Sequence, residues 1–338
     1  MLTTPVTLIA FNRPELTSGT LAAIRAAQPA QLFLVADGPR PGNADDVERC
    51  AAVRAVLEDI DWPCEVHRRY AEENLGLEAN VELGLDWVFS QVDASIVLED
   101  DCQAGATFFR YAADLLEHHR ADERVWQVSD SGLGVPRRLF GDDSYAFTAW
   151  ASVWGWATWA DRWHRHRSVF PRDHVSGDAP VRTVPAVQQP GLLVTRSGQQ
   201  HFADAAASDD TVTHGWDKHW WLTMMTFGGL AISPAVNLVE NVGWGADATH
   251  GVAPGKRDNA AEEITFPLHH PAQVALNPEV ERELELVLNR VGGRAATIAR
   301  QVLRSPRLRH AARTAVNSRA ATAAHRFVSQ LGEKSRRA

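Results

Sequence analysis

The sequence predicts an α/β fold in which a mostly parallel sheet is covered by helices on both faces. Between residues 5 and 130, five short apolar runs alternate with four segments of helical pattern. Such alternation is typical of parallel strands joined by crossover helices. The chain has 338 residues, of which 45% are hydrophobic and 22% charged, so it is long enough to bury a large core.

The first two strand–helix units occupy residues 5–60. Pro5–Phe11 is the first predicted strand, and a helix is predicted from Pro14, because proline is tolerated in a first helical turn. Gln31–Asp37 is the second strand, which ends at Gly38-Pro39, and Asn43–Ile60 has a helical pattern.

Three further strands and two helices follow. The strands are Cys64–Arg69, Ala94–Leu98 and Val125–Val128, and the helices are Leu77–Phe89 and Thr107–His118. In parallel sheets covered by helices, ligands bind at the carboxyl ends of the strands. The residues that follow each strand are therefore the first candidates for a site.

Polar side chains stand at four of these strand ends. They are Asn12 and Arg13, then Asp37 and Gly38, then Asn74 in Glu73–Gly76, and finally Glu99, Asp100 and Asp101. Each group also has an ordinary interpretation as a surface ion pair, a turn or a helix cap. Their arrival at a single edge favours a binding site.

The three consecutive carboxylates suggest a metal ion. Mg²⁺ and Mn²⁺ prefer oxygen ligands and often combine one or two carboxylates with substrate phosphates. A solvated acidic turn or a helix N-cap at Asp101 is the alternative.

Composition also bears on location. The cysteines Cys50, Cys64 and Cys102 have no metal-like spacing and fit a reducing compartment. The first residues, MLTTPVTLIAFNRPE, contain no basic leader. We therefore expect a cytoplasmic protein without a signal peptide.

The segments FNRP, VADGPRP, ENLGL and IVLEDD, in this order, resemble GT-A-type nucleotide-sugar glycosyltransferases. Within that fold the sequence is most similar to bacterial family 2-like proteins that share features with N-acetylglucosaminyltransferase I. The resemblance implies a GT-A-like, Rossmann-like sheet and a nucleotide-sugar donor, with a UDP-sugar favoured. It places Asn12, Arg13, Asp37, Gly38, Asn74, Glu99 and Asp100 at the donor, and Asp101 on Mn²⁺ (or Mg²⁺) at the diphosphate. The triplet departs from the usual Asp-x-Asp pattern by being Glu-Asp-Asp.

The resemblance continues to about residue 250. WGWATW at Trp154–Trp159, GWDKHWW at Gly215–Trp221 and NLVENVGWGADATH at Asn237–His250 are similar to segments of the same bacterial group. The resemblance implies that Asp217 is the catalytic base and that His250 is a second contact to the metal ion or the diphosphate.

Both assignments have alternatives. Asp217 lies in the apolar segment WDKHWWLTMM, where partial burial would increase its affinity for a proton, but it could instead cap the helix. Asp209 and Asp210 are rival bases. His250 could be an ordinary loop histidine, one of fourteen histidines in the chain.

Tryptophan is concentrated in the second half. Nine of the twelve tryptophans lie between residues 150 and 244. Trp154, Trp156 and Trp216 are candidates to contact the sugar or the acceptor, and the alternative is that they fill the core.

Charge is distributed unevenly along the chain. The net charge is −8, but residues 289–338 hold twelve basic residues and one acid, which leaves about −19 on the rest. The basic helical tail could lie on an anionic membrane, pack on a partner or remain solvated. Nucleic-acid binding is not expected, because the acidic body would repel it.

These observations predict a catalytic domain at residues 1–275 and a basic helical appendage at 276–338. The predicted function is metal-dependent, inverting sugar transfer from a nucleoside-diphosphate sugar to a hydroxyl of a glycan or glycolipid in cell-envelope polysaccharide or glycoconjugate biosynthesis. The enzyme would be cytoplasmic, with possible peripheral contact to the inner face of the plasma membrane. The alternatives are a non-catalytic nucleotide- or glycan-binding relative, and a sugar-nucleotide pyrophosphorylase, which FNRPELTSG matches poorly.

Overall fold

The structure is a computed structural model that describes residues 1–170, 193–196, 198–199, 215–243 and 260–291. The strands are β1 Val6–Ala10, β2 Gln31–Ala36, β3 Glu65–Tyr70, β4 Ala94–Glu99, β5 Cys102–Ala104, β6 Val125–Ser129, β7 Tyr145–Thr148, β8 Trp156–Trp159, β9 Leu230–Pro234 and β10 Val239–Asn241. The helices are α1 Pro14–Ala27, α2 Ala44–Leu57, α3 Leu77–Phe89, α4 Phe108–His118, α5 Ala160–Val169, α6 Trp216–Phe227 and α7 Pro278–Val291, with a 3₁₀ helix at Arg137–Phe140.

The main sheet has the strand order β3-β2-β1-β4-β8-β6-β9-β7 among the described residues. Strands β3, β2, β1 and β4 are parallel, with Val6 opposite both Leu32 and Ile96. Strand β8 is antiparallel to β4 and to β6, and β7 is antiparallel to β9. The predicted fold class, a mostly parallel sheet flanked by helices, is confirmed.

The five strands predicted before residue 130 are confirmed as β1 to β4 and β6, and the four predicted helices as α1 to α4. The sequence did not predict β8, which separates β4 from β6 in the sheet. Its WATW run is too short to show a period, and all four of its residues are buried.

Alternate residues of the central strands face opposite helical layers. Leu8 and Ala10 of β1 pack in a buried cluster with residues of α1, α2 and α4. Ile9, between them, packs with residues of α3, α5 and α6. This period of two means that both faces of β1 are covered, which explains its unbroken apolar sequence.

Helix α7 begins the predicted C-terminal appendage and packs on the sheet domain. Val280 and Leu284 are buried in a cluster with residues of the 3₁₀ helix and α6. The buried Glu281 accepts a hydrogen bond from the Ala149 backbone N–H at 2.9 Å. The remainder of the predicted appendage, 292–338, lies outside the described residues, so the boundary at 275/276 and the membrane contact stay predictions.

In the described part of the chain, no helix combines the length and the apolar character needed to cross a bilayer.

A buried histidine joins helix α4 to strand β7. His119 is 5% exposed, and its Nε2 lies 3.0 Å from the hydroxyl oxygen of Tyr145. The pKa of His119 is lowered from 6.5 to about 4, chiefly by burial and also by the neighbouring His118 and His270, while Asp122 opposes the shift. The folded protein therefore keeps this imidazole neutral where the unfolded chain already binds a proton.

We expect His119 to make the protein less stable in mild acid. The pKa of His119 is lower in the folded state than in the unfolded state. The contribution of neutral His119 to the free energy of unfolding is therefore retained above pH 6.5 and is lost as the pH falls towards 4. Between pH 7.5 and pH 5 the loss is about 2 kcal/mol of unfolding free energy. Urea unfolding at both pH values measures it in the wild type, in His119→Gln and in a control at the exposed His164. His119→Gln should lose about 2 kcal/mol less than the other two, and an unchanged loss would contradict the prediction.

Candidate active site

The carboxyl ends of β1 and β4 bring a basic side chain onto the acidic triplet. Arg13, between β1 and α1, forms an ion pair with Asp100 through Nη2, and the same nitrogen lies 3.0 Å from Asp101 Oδ2. The Asp100 side chain is 4% exposed and that of Asp101 13% exposed. The helix after the triplet begins only at Phe108, so Asp101 is not its N-cap.

The triplet is electrostatically strained. Burial raises the pKa of Glu99 to about 8, and the charges of Asp101, Asp100 and Asp217 add to the shift. Burial also raises the pKa of Asp100 to about 6, against the lowering effect of Arg13. Neighbouring carboxyl groups that repel one another in this way favour a cation beside them.

Asp217 is the second residue of α6. Its negative charge is among the causes that raise the pKa of Glu99. The expected partial burial of Asp217 is wrong, because the residue is exposed. It is not a helix cap either, since Gly215 holds that position and no side chain caps the helix.

Asp37 organises the loop after β3. Its two carboxylate oxygens accept hydrogen bonds from the backbone N–H groups of Gly38 and Leu75 at 2.8 Å and Gly76 at 3.1 Å, and from Asn74 Nδ2 at 2.9 Å. Burial raises the pKa of Asp37 although these donors oppose it. Asn74 thus binds Asp37 and does not cap α3, whose N-cap is Gly76.

Gly38 allows this loop to approach β2. A Cβ atom at Gly38 would lie 2.5 Å from the backbone carbon of Glu73 and 2.6 Å from its oxygen. Backbone atoms cannot turn aside as a flexible side chain can. The glycine is therefore required for the close contact between the ends of β2 and β3.

Replacing Asp37 by alanine should destabilise the protein by about 2 kcal/mol, because it leaves buried N–H donors of the loop without an acceptor. Urea unfolding measures the change, with Asp45→Ala as the control. Asp45 is an exposed acid in the first turn of α2, and its removal should cost less than about 0.5 kcal/mol. Equal stability of the two variants would contradict the structural role of Asp37.

Asn12, the other predicted donor residue after β1, is engaged by the protein. Its Nδ2 donates to Asp46 Oδ1 at 2.8 Å. Asp46 is fully buried, and Arg40 lowers its pKa through a short ion pair. In this structure Asn12 therefore links β1 to α2.

A two-stranded antiparallel sheet, formed by β5 and β10, lies next to Asp101 in the chain and fixes its backbone. Strand β10 pairs with β5, and the Val242 N–H donates to the Asp101 carbonyl oxygen at 2.9 Å. Gly243 lies directly against the side chain: a Cβ there would be 2.7 Å from Asp101 Cγ and 3.0 Å from Asp101 Cβ. The position of the Asp101 carboxylate thus depends on residue 243 having no side chain.

Two of the three predicted sugar-contacting tryptophans are buried. Trp156 is 1% exposed and Trp216 3% exposed, and their rings stack on each other with centroids 5.6 Å apart. This favours the alternative that both fill the core. Trp154 is partly buried and packs against the main core cluster, so its contact with a sugar stays a prediction.

His250 and the rival bases Asp209 and Asp210 lie outside the described residues. Their roles stay predictions.

The sequence analysis missed Asp130, which follows β6. It is fully buried, and burial raises its pKa to about 7. The signal was present, since VWQVSD is an apolar strand that ends in an acid, as at Asp101.

A group of side chains that could hold a metal ion was also not predicted from the sequence. It is formed by Glu78, Glu82 and His219, whose ligand atoms lie within 4.8 Å of one another. His219 Nδ1 is 3.2 Å from Glu78 Oε1, and Arg167 lies 3.0 Å from Glu82 Oε2. The spacing of Glu78 and Glu82 on α3 predicts a shared face. Only the packing of α6 on α3 brings His219 to it.

No protein-family model matches the chain. No curated protein matches it either. Solved structures to which it is similar include mouse xyloside xylosyltransferase 1, apo form, at 11% identity and a TM-score of 0.33, covering 67% of this chain and 82% of the other. They also include 4-diphosphocytidyl-2C-methyl-D-erythritol synthase from Anaerococcus prevotii DSM 20548, at 11% identity and a TM-score of 0.32. That match covers 53% of this chain and 82% of the other. A UDP-glucose pyrophosphorylase complexed with UDP-glucose has 9% identity and a TM-score of 0.30. That match covers 50% of this chain and 81% of the other.

Proposed function

We propose that the protein is a metal-dependent glycosyltransferase that uses a nucleoside-diphosphate sugar. The observation that carries the proposal is the contact of Arg13 with Asp100 and Asp101 where β1 and β4 end, at one edge of a mostly parallel sheet. A guanidinium and a cation-binding carboxylate suit a diphosphate. Asp217, whose charge acts on Glu99, supplies an exposed carboxylate that suits a hydroxyl that must lose its proton.

The acidic residues fit a divalent cation. Asp101 offers carboxylate oxygens, which hard cations prefer, and one of them already contacts a positive group in Arg13. When bound, the ion would neutralise charge that develops on the diphosphate leaving group. Asp101, with His250 as the proposed second contact, would hold it.

The remaining roles belong to the chain itself. Arg13 would bind diphosphate oxygens, and Asp100 would orient Arg13 through their ion pair. Asp37, Gly38 and Asn74 would shape the loop beside the donor. Asp217 would accept the proton of the acceptor hydroxyl while the hydroxyl oxygen attacks the anomeric carbon. The nucleoside diphosphate leaves from the opposite side, so the configuration of the anomeric carbon is inverted.

The finer assignments rest on the resemblance of the sequence motifs. They are a UDP-sugar as donor, a glycan or glycolipid in envelope assembly as acceptor, Trp154 at the sugar, and a cytoplasmic enzyme whose basic tail contacts an anionic membrane.

The first test is calorimetric binding of nucleoside diphosphates and nucleotide sugars, with and without Mn²⁺, to the wild type, to Asp101→Ala and to the control Asp45→Ala. One nucleotide should bind in the presence of Mn²⁺, and binding should fall at least about tenfold in Asp101→Ala alone. Preference for a nucleoside triphosphate would support a pyrophosphorylase instead. If no nucleotide binds with or without metal, the proposed function is wrong.

A further inference from the structure

Arg13 contacts the carboxylate that is proposed to hold the metal ion. Its Nη2 contacts Asp100 Oδ1 and lies 3.0 Å from Asp101 Oδ2, while its Nε lies 3.4 Å from Asp100 Oδ2. One guanidinium therefore bridges two neighbouring carboxylates. Its side chain is 24% exposed, so it can be reached from the open side of the site.

The contacts to the two acids are not equivalent. Asp100 is the more deeply buried, and α1 anchors its backbone, because the Thr20 hydroxyl donates to the Asp100 carbonyl oxygen at 2.9 Å. Asp101 is more exposed and meets Arg13 through a single nitrogen–oxygen pair. Arg13 could therefore release Asp101 while Asp100 holds it.

A guanidinium and a divalent cation would repel each other if both bound the Asp101 carboxylate in this arrangement. Mg²⁺ binds carboxylate oxygen at about 2.1 Å, which would place two positive groups within a few ångströms of each other in a poorly hydrated setting. A donor diphosphate changes the balance, because its oxygens offer the guanidinium a new bidentate partner.

We propose that Arg13 is the resting counter-ion of Asp101, and that it moves from Asp101 to the donor diphosphate when the metal binds, so that metal and donor bind cooperatively. This inference rests on the proposed function. It gives Arg13 a second role beside donor contact, as a competitor of the metal in the donor-free protein. Asp100 is the pivot that keeps Arg13 at the site during the exchange.

The test is a titration of each protein with Mn²⁺, first alone and then in the presence of the nucleoside diphosphate selected above. Electron paramagnetic resonance measures the free Mn²⁺ at each step. The proteins are the wild type, Arg13→Gln, Arg13→Lys and the control Arg49→Gln. Arg49 is an exposed residue of α2 that pairs with Asp45, so its variant changes the net charge equally without touching the triplet. Thermal melting checks that each variant is folded.

Arg13→Gln should bind Mn²⁺ alone roughly tenfold more tightly than the wild type, with Arg49→Gln unchanged. In the wild type the nucleotide should raise Mn²⁺ affinity by a similar factor, and Arg13→Gln should lose that coupling. Arg13→Lys should lie closer to the wild type because it keeps the charge.

Equal or weaker binding of Mn²⁺ alone by folded Arg13→Gln would overturn the inference and leave the proposed function standing, provided that the wild type binds metal and nucleotide. If Arg13→Gln does not fold, an unchanged Mn²⁺ affinity on adding nucleotide to the wild type overturns the inference. If no protein in the set binds Mn²⁺ with or without nucleotide, the inference and the proposed function both fail.

Discussion

Replacing Asp217 by asparagine is expected to lower the rate of sugar transfer by about 10²- to 10⁴-fold, the usual contribution of a general base. Asparagine keeps the size of the side chain but cannot accept the hydroxyl proton. Because Asp217 is exposed at the start of α6, the substitution should leave folding and donor affinity nearly unchanged. The rate is measured as nucleoside diphosphate released from the preferred donor, with water or added glycan as acceptor.

The matched control for this variant is Asp161→Asn. Asp161 is also an exposed acid in the first turn of a helix, α5, and nothing places it at the triplet. It should transfer at the wild-type rate. If Asp217→Asn transfers as fast as the control, the base lies elsewhere, and Asp209 and Asp210 become the next residues to substitute. If donor affinity falls together with the rate, Asp217 is a binding residue.

Replacing Gly243 by alanine is expected to lower Mn²⁺-dependent nucleotide affinity by about 100-fold, the upper range for residues that orient a metal ligand. The added methyl group would overlap the Asp101 side chain, at 2.7 Å from Cγ and 3.0 Å from Cβ. The simplest relief is rotation of the carboxylate, which moves the metal ligand but not the fold. Calorimetry with the preferred nucleotide, with and without Mn²⁺, measures the change.

Val242→Ala is the control, because it alters the neighbouring side chain while the Val242 N–H bond to Asp101 is kept. It should bind nucleotide within about threefold of the wild type. A Gly243→Ala variant that retains full affinity would show that Asp101 tolerates displacement or does not hold the metal. A loss of affinity accompanied by unfolding in thermal melting would make residue 243 a stability position.

The sequence could identify the strand ends because the required information is local. Apolar runs, helical periodicity and the Gly and Pro residues between them locate β1 to β4 in order. Parallel strands then bring their carboxyl ends to one edge. This alone predicts that Arg13, Asp37 and Asp101 lie near one another, as the structure shows for the ends of β1, β2 and β4.

Only the tertiary structure decided which side chains are exposed and which pair. Trp156 and Trp216 look alike in sequence to Trp154, yet they stack in the core because β8 enters the sheet beside β4 and α6 covers it. Asp217 is exposed although its helix is apolar, because it lies at the free end of that helix. His219 meets Glu78, and Arg13 meets Asp101, across separations of more than eighty residues. Burial and partner choice depend on these long-range contacts, and no local pattern in the chain encodes them.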